Sequence, residues 1–189
     1  MTKENNTVNI DSIEITNTAN WIKNVVIGCN FCPFAAKALA KKTVRYVVVE
    51  TTDFKNALTE LAYEFEYLNS HENIETTFII FSEAFADFLQ YLDLVDKGER
   101  FLTKENYEGV YQLASFHPHY LFAGSNENYP ENYTNRSPYP MLHILREDSI
   151  TKALENFDDP DSIPEKNINF AKKKGIEYMK MLAASCIAE

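Results

Sequence analysis

The chain has 189 residues, 45% hydrophobic and 24% charged, a composition typical of a globular protein that can bury one core. Its net charge of −10 argues against nucleic-acid binding, because an acidic chain repels the phosphate backbone. No apolar run is long enough for a membrane span, the N-terminus lacks a secretory signal, and three cysteines form no even disulfide framework, so we expect a cytoplasmic protein.

The first residues are polar and differ from the rest of the chain. Residues 1–16 are rich in Asn and Thr, and we expect them to form a flexible segment ahead of a single domain over 17–189. Large apolar residues then recur at helical spacing, at Trp21, Val25 and Val26. The stretch 24–29 also fits a buried strand, so both interpretations stay open. After Cys32, the stretch 34–41 predicts a short helix.

The middle of the chain alternates between strands and amphipathic helices. Two runs of β-branched and aromatic residues, 44–49 and 76–81, predict buried strands. Asp53 is placed to cap the helix between them, whose apolar residues recur in steps of three and four. Ser82 is placed to cap the next helix, which we expect to end near Gly98. The inward face predicted for this second helix consists of Phe85, Phe88, Leu89, Leu92 and Val95.

Two further strands are predicted in the second half, over 110–116 and 141–146. A short helix should follow the second of them. Its apolar residues are Ile150, Ala153, Leu154 and Phe157. Strands and helices thus alternate over most of the chain. This order predicts a single α/β domain, with a mixed sheet of about four strands and helices packed on it.

The C-terminal segment predicts one long helix. Ser162 and Glu165 form the pattern of a capping box at its start, and the helix should reach about Ile187. Gly175 lies inside it and lowers its intrinsic stability by about 1 kcal/mol relative to alanine. We therefore expect the helix to bend or to pack closely at that residue.

One long segment, 117–140, has no apolar periodicity, and an irregular stretch of this length in a compact domain is usually functional. Polar residues are concentrated there and in the strand that follows: His117, Asn135, Arg136, Ser137, His143 and Arg146. A guanidinium group beside neutral hydrogen-bonding side chains suits a carboxylate or phosphate. We therefore expect the asparagine, the serine and the two arginines to bind a small anionic molecule.

Cys32 is the candidate nucleophile. At the start of a helix the macrodipole favours a thiolate, and a nearby arginine or protonated histidine would lower its pKa further. We expect it to lie beside His117 or His143, either of which could act as the base. Each of the three also has a structural alternative: Cys32 as a small buried hydrophobe, His117 as a cap of its strand end, and His143 as a hydrogen-bonded core residue.

A zinc site is the other chemistry that the histidines permit, with His117, His119 and His143 as ligands. No helix carries two of them at positions i and i+4, so we predict no metal site and no cofactor.

Three blocks of sequence carry a resemblance to a known family. They read GCNFCPFA (28–35), YQLASFHPHYLFAG (111–124) and NRSPYPMLHILRED (135–148). They resemble the signature blocks of an uncharacterised bacterial family, the domain-of-unknown-function 1415 family, over about Trp21 to Leu182. The resemblance implies no activity. It implies that Cys29 stands where the family usually has an apolar residue, and His119 where it has an acidic one.

The Cys-Pro-Phe at 32–34 is also similar to the redox site of glutaredoxins and omega-class glutathione transferases. The helix and the strand 44–49 that follow fit that order, but no proline precedes 76–81 to match the cis-proline of those folds.

Three functions therefore remain open: an enzyme that uses the thiol of Cys32, a non-catalytic domain that binds a ligand or a partner protein, and a glutaredoxin-like thiol protein. The oligomeric state is not predicted.

Overall fold

A four-stranded mixed sheet separates two groups of helices. In the computed structural model, which describes residues 12–51, 53–155 and 159–188, the strands are β1 (Val44–Val49), β2 (Thr76–Phe81), β3 (Tyr111–Phe116) and β4 (Met141–Arg146). Their order across the sheet is β1-β2-β4-β3. β1 and β2 are parallel, and β4 is antiparallel to both β2 and β3. The expected α/β domain with a mixed sheet is confirmed.

The two faces of the sheet carry separate cores. Since side chains alternate along a strand, Ile79 and Phe81 of β2 enter the first core, and Phe78 and Ile80 enter the second. The helices of the first core are α3 (Phe54–Ser70) and α4 (Phe88–Lys104). Those that contribute to the second core are α1 (Ile13–Trp21), a π-helix (Ile22–Ile27), α2 (Ala35–Lys41), α6 (Ile163–Lys174) and α7 (Ile176–Ala184).

Helix α3 follows the sequence prediction closely. Asp53 caps it through a hydrogen bond from the backbone N–H of Asn56, at 2.8 Å. One buried carboxylate breaks its apolar face, because Glu64 is fully buried. Arg45 of β1 donates to it twice, at 2.7 and 3.0 Å, so the buried charge has a bidentate partner.

The prediction for α4 was wrong at both ends. Asp87, not Ser82, caps this helix, and Phe85 adopts a positive φ of 58° outside it. The helix also continues through Gly98 to Lys104. A Cβ at Gly98 would lie 2.9 Å from the side chain of Leu113, so the glycine allows α4 to approach β3 closely and does not end the helix.

The inward face of α4 is correspondingly different. Leu89 and Leu92, which were expected to face the core, are 73% and 39% exposed. Phe88 and Val95 pack against the core as predicted. The buried residues of the helix are Tyr91, Leu94, Gly98 and Leu102.

The N-terminal prediction needs a correction for its last residues. Residues 1–11 lie outside the described part of the chain, but helix α1 already begins at Ile13. Ser12 caps it by accepting from the backbone N–H of Ile15 at 3.2 Å, and Ile15 is buried. Residues 13–16 are therefore helical. Of the two interpretations of 24–29, the helical one is correct, because the π-helix continues α1 as far as Ile27.

The C-terminal segment is two helices and not one. Gly175, with φ at 81°, separates α6 from α7, and a Cβ there would meet no other atom, so its backbone conformation and not close packing requires glycine. The capping box is absent, because the Ser162 hydroxyl donates to the carbonyl of Asp159 at 2.7 Å. The short helix α5 spans Glu147–Leu154, and Phe157 lies outside the described residues. No described helix is both long and apolar enough to span a bilayer.

Candidate functional site

The long segment between β3 and β4 is held in one shape by its own polar groups. A short 3-10 helix, Pro130–Thr134, lies in its middle. Asn132 is fully buried, accepts from the N–H of Phe122 at 3.2 Å and donates to the carbonyl of Asn126 at 2.7 Å. The amide of this one residue therefore connects two turns of the loop.

Arg136, predicted to bind an anion, contacts the same loop. Its Nε donates to the carbonyl of Tyr120 at 3.2 Å, and its Nη2 donates to that of Glu127 at 2.9 Å. Its guanidinium group also lies over the ring of Tyr133, 4.6 Å from the centroid. Its backbone carbonyl accepts from Nε1 of Trp21 at 2.8 Å. The guanidinium group of Arg136 therefore stabilises the segment between β3 and β4 and is occupied by that segment.

The two neighbouring polar residues are also occupied. The carbonyl of Asn135 accepts from the N–H of His117 at 3.2 Å, and its Nδ2 donates to the carbonyl of Ser115 at 3.4 Å. Ser137 is buried and its hydroxyl donates to the carbonyl of Tyr139 at 2.6 Å. Both side chains therefore stabilise the path of the chain into β4.

Arg146, the second predicted anion-binding arginine, caps the end of α3. Its Nη2 donates to the carbonyls of Leu68 and His71, and its Nε to that of Ile74 at 2.9 Å. Its Nη1 donates to the hydroxyl of Tyr111 at 3.1 Å. Every nitrogen of this guanidinium group has a protein partner, and its charge lies at the negative end of a helix dipole.

The two arginines also lie at opposite ends of β4. Arg136 precedes the strand and Arg146 ends it. A six-residue strand spans about 17 Å at about 3.3 Å per residue. One small anion cannot contact both guanidinium groups, so the structure does not bring the predicted anion-binding residues together.

His117 is fully buried, and both of its ring nitrogens are used. Nδ1 accepts from the N–H of His119 at 2.9 Å, so Nε2 carries the proton and donates to the carbonyl of Phe85 at 2.9 Å. Burial lowers the pKa of His117, since desolvation disfavours the charged ring. The ring packs against Phe88 and Tyr91 on the α4 side. It holds three chain segments together and has no free nitrogen to act as a base.

His143 lies on the other face of the sheet. Its Nε2 is 2.5 Å from the hydroxyl oxygen of Thr76, which itself donates to the carbonyl of Ile144 at 2.6 Å. The ring stacks on Phe78, with 3.7 Å between centroids, and burial lowers the pKa of His143 to about 3. His117 and His143 therefore do not share a site.

Cys32 is partly buried just before α2. Its thiol accepts hydrogen bonds from the backbone N–H groups of Phe34 and Ala35, which favour the thiolate. Burial outweighs them and raises the pKa of Cys32, so the expected lowered pKa was wrong. The arginine or histidine that was expected to lower the pKa of Cys32 is not among the described groups that shift it.

The described residues also offer no site for the zinc ion that the histidines could have bound. No group of three or more His, Cys, Asp or Glu side chains in the described ranges could hold a metal ion. The glutaredoxin-like hypothesis meets a comparable difficulty, because Glu75 directly precedes β2 where those folds place their cis-proline.

The feature that the sequence did not predict is the free edge of β3. Phe81 donates from its backbone N–H to the carbonyl of Pro140, so alternate β4 residues beginning at Pro140 face β2. The β4 residues that alternate with these direct their N–H and C=O groups to β3. Their partners there are Gln112, Ala114 and Phe116. The N–H and C=O groups of Leu113 and the N–H of Ser115 therefore point away from the sheet, and β3 is an edge strand.

A cavity of about 360 Å³ lies beside this edge. Leu113 is only 7% exposed, yet neither its N–H nor its C=O has a partner among the described residues. Its side chain is therefore buried in the first core, while its backbone groups lie at the edge of the sheet, where another strand can pair with them. The cavity is lined by Glu99, Leu102, Thr103, Glu108, Gly109, Tyr111, Gln112, Leu113 and Glu147. The sequence signal was the alternation of exposed Gln112 with buried Tyr111 and Leu113, but that pattern alone cannot show that β3 is an edge strand.

A family model described as "Protein of unknown function (DUF1415)" matches residues 14–181. The chain belongs to the DUF1415 family. No curated protein matches the chain, and no solved structure matches it.

The three blocks that carry the resemblance have clear positions in this DUF1415 chain. Block 28–35 connects the π-helix to α2, block 111–124 comprises β3 and the start of the long loop, and block 135–148 leads into and includes β4. The polar side chains of the third block bind mainly to backbone carbonyls. Cys29, where the family usually has an apolar residue, is buried in the second core, and His119 is exposed.

Proposed function

We propose that the chain is a non-catalytic binding domain, which adds an extended segment of a partner protein to the free edge of β3. One observation carries this proposal: at the edge of the sheet, the N–H and C=O groups of Leu113 have no partner among the described residues and lie beside an open cavity. An added strand would satisfy both groups, as in other domains that bind peptides by strand addition.

The hydrogen bonds of the candidate catalytic and anion-binding residues support a binding domain over an enzyme. His117 uses both ring nitrogens, and His143 lies on the opposite face. Arg146 is bound by the end of α3. Cys32 has a raised pKa, and no histidine is among the causes of that shift, so the thiol is a poor nucleophile near neutral pH. A binding domain needs no nucleophile.

The edge itself is suited to strand addition. β3 has six residues and contains no proline, so nothing in its backbone prevents pairing. Tyr111 already donates its N–H to the carbonyl of Tyr107, and the carbonyl of Ser115 accepts from Asn135. The N–H and C=O of Leu113 and the N–H of Ser115 remain for a partner.

A matched pair of variants at Ser115 tests the proposal. Ser115→Pro removes an outward N–H at an edge position where proline is tolerated, and Ser115→Ala removes the same hydroxyl but keeps the N–H. The probes are short, blocked peptides in which valine alternates with lysine, serine or glutamate. We expect at least one peptide to shift the amide NMR signal of Leu113. The Ser115→Pro variant should bind that peptide much more weakly than the Ser115→Ala variant does. If no peptide shifts this signal, or if both variants bind as the wild type does, the proposal is wrong.

A second candidate, a thiol enzyme, rests on Cys32 alone. Its sulfur accepts two backbone N–H groups and is partly exposed, as a reactive thiol requires. Alkylation with iodoacetamide at pH 6.5 separates the two functions. Reaction faster than that of a small free thiol would favour the enzyme, and slower reaction would favour the binding domain.

A further inference from the structure

The cavity beside β3 is strongly acidic. Glu99 comes from α4, Glu108 from the turn that follows α4, and Glu147 from the start of α5, so three separate elements bring carboxylates to one groove. None of them forms an ion pair with a described lysine or arginine. The hydroxyl of Thr103 donates to Glu108 at 3.2 Å. The groove thus presents negative charge that the described part of the chain does not neutralise.

We infer that the strand added to β3 is cationic, with lysine or arginine side chains at alternate positions. This inference rests on the proposed function and names the class of partner. Alternate side chains of an added strand point to the same side, so cations two residues apart would all stay beside the carboxylates.

The pKa of Glu99 is consistent with negative charge in the groove that no cation offsets. Burial raises the pKa of Glu99, because partial desolvation of its carboxylate is not offset by a nearby cation. A lysine or arginine placed within about 4–6 Å would reverse that effect. Glu99 is nevertheless exposed, so this effect only adds to the attraction that the charge of the groove exerts on a cation.

Two other occupants fit the groove less well. A second copy of this chain, pairing β3 with β3, would bring three carboxylates of one copy against three of the other, and like charges across a pair of strands are destabilising. A metal ion finds no set of ligands in the described residues. Charge complementarity thus favours a cationic segment of another protein.

Calorimetric titration with the alternating peptides tests the inference. The groove variant is Glu99→Gln/Glu108→Gln/Glu147→Gln. The matched control is Glu66→Gln/Glu72→Gln/Glu83→Gln, which changes the net charge equally at exposed positions outside the groove lining. Three ion pairs near the surface, each worth about twofold to fivefold, predict that the groove variant binds the lysine peptide about tenfold to a hundredfold more weakly. The control should change the affinity less than twofold, and added salt should weaken wild-type binding.

The outcomes separate this inference from the proposed function. If the serine or glutamate peptide binds at Leu113 as tightly as the lysine peptide, the edge binds strands but the cationic preference is wrong. If the groove and control variants weaken binding equally, the attraction is only that of the net charge, and the inference also fails. If the chain pairs with itself at Leu113, the occupant is a second copy. If no peptide affects Leu113, the proposed function itself fails.

Discussion

Removal of the Arg146 side chain tests whether this residue is structural. The substitution Arg146→Ala leaves the carbonyl of Ile74 without its donor. It also removes the charged second donor from the carbonyls of Leu68 and His71, which keep the backbone N–H groups of His71 and Ile74. The end of α3 and the turn that leads to β2 lose their connection to β4 at the same time. We expect a large loss of stability and no specific loss of anion binding.

The magnitude follows from the number and kind of the lost hydrogen bonds. A buried acceptor left unsatisfied costs about 1–3 kcal/mol. Only the carbonyl of Ile74 loses its sole donor among the described residues, and Arg146 is partly exposed, so we expect a decrease of about 2–3 kcal/mol in the free energy of unfolding. Arg146→Lys keeps the charge near the end of α3 but not the fork of donors, and it should recover only about 1 kcal/mol of that decrease.

Urea unfolding followed by fluorescence provides the assay, because Trp21 is the single tryptophan and is 1% exposed. Arg100→Ala is the matched control: the Arg100 side chain is 78% exposed and forms only a surface ion pair with Asp96, so its loss should cost less than about 0.5 kcal/mol. Added phosphate should raise the free energy of unfolding of the wild type no more than it raises that of the Arg146→Ala variant. The reasoning is refuted if Arg146→Ala unfolds within about 0.5 kcal/mol of the wild type, or if phosphate stabilises only the wild type.

Three further predictions follow from the buried polar groups. The folded pKa of His143, about 3, lies below the ordinary value of about 6.5, so its contribution to stability is complete above pH 6.5 and decreases as the pH falls. The wild type should lose about 1–2 kcal/mol between pH 7 and pH 5, and His143→Gln, which keeps the donor to Thr76, should lose measurably less. Glu64→Gln leaves Arg45 without its buried carboxylate and should cost about 3–5 kcal/mol in urea unfolding, whereas the exposed Glu66→Gln should cost almost nothing. Cys32→Ser should leave peptide binding unchanged in calorimetry, and a loss of binding would contradict the placement of the site at β3.

Local patterns predicted much of the fold, because their causes are local. The strand at 44–49 and the cap at Asp53 depend on neighbouring residues, and both were correct. The end of α4 was misjudged because Gly98 serves a contact with Leu113 of β3, and such a contact between distant segments leaves no local trace.

The candidate site was misjudged for a related reason. Arg146 was interpreted as an anion-binding residue, but it binds a carbonyl 78 positions away in the chain, at Leu68. His117 was interpreted as a base, but it binds Phe85, 32 positions away. Polar residues that stabilise a fold through distant carbonyls have the same composition as residues that bind a ligand. The free edge was missed because it depends on the strand order, which the sequence left open.

Amide hydrogen exchange of β3 tests the central claim most directly. Gln112 and Ala114 direct their N–H groups to β4 and should exchange slowly, whereas Leu113 should exchange much faster than both although its side chain is buried. Saturation with the alternating lysine–valine peptide should slow the exchange of Leu113 strongly and leave that of Gln112 almost unchanged. Slow exchange of Leu113 in the free protein, or exchange that the peptide does not alter, would contradict strand addition at this edge.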